Sequence, residues 1–178
     1  MKRILRIATI VVAAGLVLIL GGCAYTPPDH RATLKNGFCA ELRGNMGEVE
    51  FCAKITVEKA PDGDAGKDRG ITVEYLSPAV LKGISVCGRC NPEGGVSGTA
   101  EVLYGGTHLD TDAFAVEGLF RPATAFFAVG ETASVQKLGK TYKTVFEDGA
   151  YLITDMAGTP LSFSSQKLSF EVVWREVS

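Results

Sequence analysis

The sequence predicts a mainly β (α+β) domain in which a strongly curved antiparallel sheet, an incomplete β-barrel, wraps one main helix. Glycine accounts for 21 of the 178 residues. Because glycine supplies the backbone freedom of tight turns, this content favours many strands over a helical bundle. Most segments between the turns alternate apolar and polar residues, as strands do. A sheet of about nine such strands must curl to protect its edges.

The strands are predicted from alternation, and the helix from a change of period. The first two strands lie at Phe38–Leu42 and Val49–Glu58, and the third at Arg69–Leu76. The segment from Pro122 to Leu138 has apolar residues at a spacing near 3.6, which predicts the helix. The remaining strands are predicted at residues 84–87, 96–104, 142–146, 150–154, 161–164 and 168–174, with a short one at 113–117 and a loop at 107–112.

The N-terminus has the charge and hydropathy pattern of a bacterial signal peptide, predicted over residues 1–22. Lys2, Arg3 and Arg6 precede an uncharged apolar run from Ile7 to Leu20. That run has the length of a signal-peptide core and falls short of the roughly 20 residues that span a bilayer.

The apolar run ends in the sequence LGGC at residues 20–23, which resembles the lipobox of bacterial lipoproteins. Cys23 would then carry a diacylglycerol and anchor the mature chain to the cell membrane on its extracytoplasmic side. An ordinary secretory signal or an uncleaved anchor is the alternative. Residues 23–33 contain two consecutive prolines and predict an extended tether, followed by a single domain over residues 34–178.

The charge balance limits the partners of the domain. The whole chain has a formal charge of −2, and removal of the signal peptide takes away three basic residues. Nucleic-acid binding requires a basic surplus, so we expect no nucleic-acid partner. The acidic balance also gives no attraction to an anionic membrane, so the lipid itself would hold the protein there.

Four further cysteines, Cys39, Cys52, Cys87 and Cys90, predict disulfides, because their number is even and the domain is expected to be exported. A symmetric hairpin loop at residues 44–47 would place Cys39 opposite Cys52, at a Cα separation that a disulfide tolerates. We therefore predict the pairs Cys39–Cys52 and Cys87–Cys90. A redox dithiol in the C-x-x-C sequence and a zinc site are the alternatives.

Inward-facing apolar residues of the strands, with two phenylalanines of the helix, form the candidate lining of an apolar pocket. They are Phe51, Ala53, Ile55, Val73, Tyr75, Phe126, Phe127, Phe170, Val172 and Trp174. Small residues among the large ones would leave room for a ligand. A filled core is the alternative, since every half-buried sheet alternates in this way.

Three stretches resemble the bacterial lipoprotein-carrier superfamily, which includes LolA, LolB and the mycobacterial lipoproteins LppX and LprG. VEYLSPAVLKGI at residues 73–84 is similar to a strand, turn and next strand of that family. YLITDMAGTPLSF at 151–163 resembles its late strand–turn–strand unit, and LSFEV at 168–172 its final strand. Such proteins have an incomplete barrel with helices over an apolar cavity, so the resemblance implies binding of a lipid or acyl chain.

The sequence contains no recognisable catalytic constellation. His30 lies in the predicted tether and His108 in a predicted loop, and no GxSxG, HExxH or phosphate-binding motif occurs. We therefore expect no enzyme, cofactor or metal. Two function classes remain: a surface lipoprotein that binds a lipid or hydrophobic ligand, and a structural lipoprotein with a filled core that serves an envelope protein partner.

Overall fold

The structure is a computed structural model that describes residues 29–30, 36–59, 67–127 and 129–175. The predicted signal peptide and Cys23 lie outside the described residues, as does the predicted tether except for Asp29 and His30. Among the described residues, no helix is both long and apolar enough to span a membrane.

Eleven strands in the described part of the chain form one antiparallel sheet. They are β1 (Phe38–Met46), β2 (Val49–Val57), β3 (Arg69–Ser77), β4 (Ser85–Cys90), β5 (Val96–Tyr104), β6 (Thr107–Asp112), β7 (Thr132–Leu138), β8 (Thr141–Phe146), β9 (Tyr151–Asp155), β10 (Pro160–Ser164) and β11 (Leu168–Arg175). Their order across the sheet is β6-β5-β4-β3-β2-β1-β11-β10-β9-β8-β7. Within these residues β6 and β7 are the two edges and do not pair, so the sheet is not closed. The mainly β class and the open antiparallel sheet are confirmed.

The first and last strands of the sequence meet in the middle of the sheet. β1 pairs with β2 on one side and with β11 on the other, so that Leu42 lies between Ala53 and Val172. Ala40 and Leu42 are fully buried, and even Glu41, on the opposite face of β1, is only 6 % exposed. The centre of the sheet is therefore its most protected part.

The β1–β2 hairpin forms as predicted but in a different register. Phe38 lies opposite Val57 and Cys39 opposite Thr56, so the predicted opposition of Cys39 and Cys52 is wrong. The turn is shorter than predicted because Gly47 adopts a left-handed conformation with φ of 63°, which a two-residue hairpin turn uses. β1 consequently continues to Met46. The apolar residues keep their predicted face, because the partner of Cys39 moves by four residues, from Cys52 to Thr56, and an even shift leaves every side chain on its own face.

The predicted helix from Pro122 to Leu138 is wrong. The helix α1 spans Glu117–Thr124 and follows a 3-10 helix at Ala113–Val116, whose first turn is capped by the Asp112 side chain. The Asp112 Oδ1 accepts a hydrogen bond from the Phe114 amide at 2.8 Å. The second half of the predicted helix forms β7 instead, because its β-branched residues favour an extended chain and its backbone pairs with β8.

Two further differences concern the segment before α1. Residues 107–112 form β6 rather than a loop, and the 3-10 helix replaces the short strand predicted at residues 113–117. β6 was not predicted because its side chains do not alternate: five of its six residues are exposed. Its strand structure comes from pairing with β5 along its whole length.

One face of the sheet, the inner face, packs against α1 and the turn that follows it. α1 contacts β2, β3 and β4, and the Tyr75 hydroxyl donates a hydrogen bond to the Leu119 carbonyl at 3.0 Å. A Cβ on Gly88 would lie 2.8 Å from the Phe120 ring. Gly88 therefore permits the close approach of α1 to β4, which gives the C-x-x-C segment a packing role.

Candidate functional site

The ten residues predicted to line a pocket lie together on the inner face. Eight of them are buried, and Val172 and Trp174 are partly buried and pack against the same cluster. The Phe126 ring centroid lies 5.2 Å from that of Phe170 and 5.9 Å from that of Phe38, both in edge-to-face geometry. Such pairs stabilise a core beyond the area that they bury. The structure brings the ten residues together, and their role as a ligand-binding lining stays a prediction.

A cleft of about 420 Å³, the end cleft, opens between α1 and the turn that joins β10 to β11. Its floor is mainly apolar: four lining residues are each less than 10 % exposed, and Ala125, Phe163 and Leu168 are apolar whereas Thr124 is polar. Its rim carries two cations and two anions, which are Arg121, Lys167, Glu117 and Asp148.

The walls of the end cleft are held by hydrogen bonds within turns and between them. The Ser165 amide donates to the Leu168 carbonyl at 2.7 Å, and the Ser165 hydroxyl accepts from the Leu168 amide at 3.2 Å. The Gly47 amide donates to the Lys167 carbonyl at 2.8 Å, which ties this turn to the β1–β2 turn. Asp148 accepts a hydrogen bond from the Ala150 amide at 2.9 Å. The cleft is therefore largely preformed, as ligand sites usually are.

None of the ten predicted pocket residues lines the end cleft. Its residues come from the β4–β5 turn, from α1 and the residue after it, from the β8–β9 turn and from the β10–β11 turn with the strand ends beside it, which are far apart in the sequence. Alternation shows which side chains face inward, but it does not show which turns meet at one end of a sheet. The one sequence signal for this end of the sheet is the polar turn at residues 165–167, which lies between two apolar strands.

The four cysteines are free thiols in the structure. Cys39 lies opposite Thr56, whose hydroxyl donates to its sulfur at 3.7 Å. Cys52 lies opposite Arg43 and donates to the Glu41 carboxylate at 3.6 Å. Burial raises the pKa of the Cys52 thiol, and the neighbouring Glu41 carboxylate raises it further. The register that motivated a Cys39–Cys52 disulfide is thus absent.

Cys87 and Cys90 lie on the same strand, β4, and point to opposite faces. Three residues of extended chain span about 10 Å, more than the Cα separation that a disulfide allows. The Cys87 sulfur accepts a hydrogen bond from the Thr72 hydroxyl at 3.6 Å. Burial raises the pKa of Cys90 to about 11, so this thiol stays protonated at neutral pH. The position of the pair within a strand, away from a helix N-terminus, also differs from that of a redox dithiol.

The two histidines lie in separate places. The His30 Nε2 lies 3.1 Å from the Phe126 carbonyl oxygen, next to the core. The His108 Nδ1 lies 2.5 Å from the Glu101 carboxylate on the exposed face of the β5–β6 pair. Within the described ranges, no group of three or more histidine, cysteine, aspartate or glutamate side chains could hold a metal ion.

Comparison with known proteins gives only distant similarities. No protein-family model and no curated protein matches the sequence. A solved structure of an uncharacterised conserved protein from Thermus thermophilus aligns over 83 % of this chain and 84 % of its own, at 14 % identity and a TM-score of 0.48. An outer membrane lipoprotein-sorting protein domain from Vibrio parahaemolyticus aligns over 71 % of this chain and 62 % of its own, at 8 % identity and a TM-score of 0.36. Both TM-scores lie below 0.5, so neither similarity bears on the family or the activity of this chain.

Proposed function

We propose that the chain is a bacterial lipoprotein, acylated at Cys23 and anchored to the extracytoplasmic side of the cell membrane, whose domain binds an acyl chain. The anchor is supported by the basic residues, the apolar run and the LGGC sequence at residues 20–23. The binding of an acyl chain is supported by one observation above all, the apolar floor of the end cleft beneath a charged rim.

The dimensions and chemistry of the end cleft suit an amphiphile. A volume of about 420 Å³ lies within the range of roughly 300–1,000 Å³ found for small-molecule sites. The floor at Phe163 and Leu168 offers apolar contact to a hydrocarbon chain, whose burial is favourable by about 0.8 kcal/mol per methylene. Arg121 and Lys167 at the rim can pair with a carboxylate or phosphate head group.

Filling the end cleft should displace the ligand. Leu168→Trp adds bulk at the floor, and Arg121→Glu reverses one charge at the exposed rim. We expect solvent extracts of the purified full-length chain to contain an acyl lipid, and both variants to retain less of it. Mass spectrometry of the extracts, normalised to protein, measures this.

Leu109→Trp is the matched control, because Leu109 is 60 % exposed on β6, away from the end cleft. It adds the same ring to the surface, so any lipid that adheres nonspecifically should be equal in the two tryptophan variants. Equal lipid content in wild type, Leu168→Trp and Arg121→Glu would refute the proposed site.

A second function, that of a structural lipoprotein serving an envelope protein partner, is favoured by the packing of the inner face. Ala53, Ile55, Val73 and Tyr75 are fully buried, and their neighbours on β1 and α1 complete the packing. In that case the domain would act through its surface, and its purified form would carry no acyl ligand. Both proposed functions consist of binding, to an acyl chain or to a protein partner, and neither includes a catalytic step or a cofactor.

A further inference from the structure

The face of the sheet opposite α1 carries a second concavity, a polar groove of about 430 Å³. We name it the serine groove, since Ser162, Ser164 and Ser169 lie along it. It crosses the four adjacent strands β1, β11, β10 and β9. Strands lie about 4.8 Å apart, so the groove extends over roughly 14 Å.

Strand register arranges the groove as two rows of polar side chains. In the first row, Arg43 lies opposite Glu171, and Glu171 lies opposite Ser162. Directly opposed residues of an antiparallel pair share a face of the sheet, so these three side chains are neighbours.

The second row is two residues further along the strands. Asn45 lies opposite Ser169, Ser169 opposite Ser164, and Ser164 opposite Tyr151. The three serines are half-buried, while Arg43, Asn45 and Glu171 are exposed. Short hydroxyl side chains therefore lie low in the groove, and longer side chains rise beside them.

Two contacts hold the longer side chains in place. The Arg43 Nε donates a hydrogen bond to the Glu41 carboxylate at 2.7 Å, and Glu41 is itself buried. At the other end, the Lys143 ammonium lies 4.1 Å from the centroid of the Tyr151 ring. Side chains fixed before binding lose less conformational entropy when a ligand arrives, which favours a binding role.

We propose that the serine groove binds a neutral saccharide. Three hydroxyls, the Asn45 amide and the Glu171 carboxylate supply both donors and acceptors, which is what a ligand rich in hydroxyl groups requires. The groove spans four strands, so it offers contacts to a short oligosaccharide rather than to a single sugar ring.

The charges and hydroxyls of the groove disfavour other ligand classes. Arg43 is already paired with Glu41, and an anion would meet the Glu171 carboxylate. An apolar ligand would strip water from the serine hydroxyls without replacing their hydrogen bonds, which costs free energy. This inference is independent of the proposed acyl-chain site, because the polar side chains of the groove lie on the face of the sheet opposite α1.

The test is a titration of the full-length chain, in a zwitterionic detergent free of sugar groups, with maltose, cellobiose and N,N′-diacetylchitobiose. Saturation-transfer difference NMR and calorimetry report binding. We expect at least one of these sugars to bind saturably. Ser164→Leu should abolish that binding by filling the groove, and Glu171→Gln should weaken it about tenfold by removing a charged acceptor.

Ser134→Leu is the matched control, since Ser134 is exposed on the edge strand β7 and should leave binding unchanged. If Ser164→Leu does not fold, as judged by circular dichroism, the near-isosteric Glu171→Gln decides the question. The proposal is overturned if none of the three sugars binds saturably, or if the folded groove variants bind as wild type does. Glucose 6-phosphate is titrated in the same way as an anionic comparison. If it binds more tightly than the neutral sugars, the groove is an anion site and the proposal is overturned.

Discussion

Replacing Cys23 by serine should abolish the incorporation of radiolabelled palmitate and release the chain from the membrane fraction or leave it as an unprocessed precursor. The diacylglycerol is attached to a sulfur atom, and a serine hydroxyl lacks the nucleophilicity of a thiolate. Stable anchoring requires more than one acyl chain, so loss of the modified residue removes the whole of the membrane affinity that the lipid supplies. Palmitate labelling of immunoprecipitated protein and membrane fractionation measure the two effects.

Cys39→Ser is the control for this variant, because Cys39 lies within β1 and outside the LGGC sequence. It should be labelled and fractionate as wild type does. Labelling of the Cys23→Ser chain at the wild-type level would show that the acylated residue lies elsewhere or that the signal is an ordinary secretory one.

Truncation of Phe126 to alanine should lower the free energy of unfolding by about 3–5 kcal/mol, the usual cost of removing a buried phenylalanine ring. Phe126 is fully buried, and its ring joins the turn after α1 to both central strands through Phe38 and Phe170. Its removal leaves a cavity where the inner face and the helical segment meet. Denaturant unfolding followed by circular dichroism gives the difference.

Phe114→Ala provides the comparison, because Phe114 is 76 % exposed and the same truncation there should change stability by no more than about 0.5 kcal/mol. If Phe126→Ala costs no more than Phe114→Ala, the inner face is not packed as the structure shows. The two variants Phe126→Ala and Phe114→Ala therefore test how α1 packs on the sheet, and the comparison does not depend on any ligand.

Alternation in the sequence predicts faces better than it predicts register. Phe51, Ala53 and Ile55 face inward as predicted, although the β1–β2 register differs, because a shift that preserves parity leaves every side chain on its own face. The position of the turn decided the register, and the sequence alone does not distinguish Gly47, which adopts the left-handed conformation, from Gly44, the other glycine of that loop.

The edges of the sheet were the least predictable part of the fold. β6 and β7 are exposed on both faces, so neither carries an apolar alternation that could identify it. Their strand structure arises from pairing with β5 and β8, a tertiary interaction that local patterns do not contain. The end cleft was missed for a related reason, since Arg121 and Leu168 become neighbours only when the sheet and α1 assemble.

The most direct test of the acyl-chain proposal is photocrosslinking of the full-length chain in membranes with a fatty acid that carries a diazirine near its terminal carbon. Mass spectrometry of the peptides then locates the crosslinks. The proposal predicts crosslinks on the peptides that contain Leu168 and Thr124, and their loss in Leu168→Trp. Crosslinks that are absent from both peptides, or that cluster instead at the exposed Tyr104 and Leu109 of the β5–β6 edge, would contradict it.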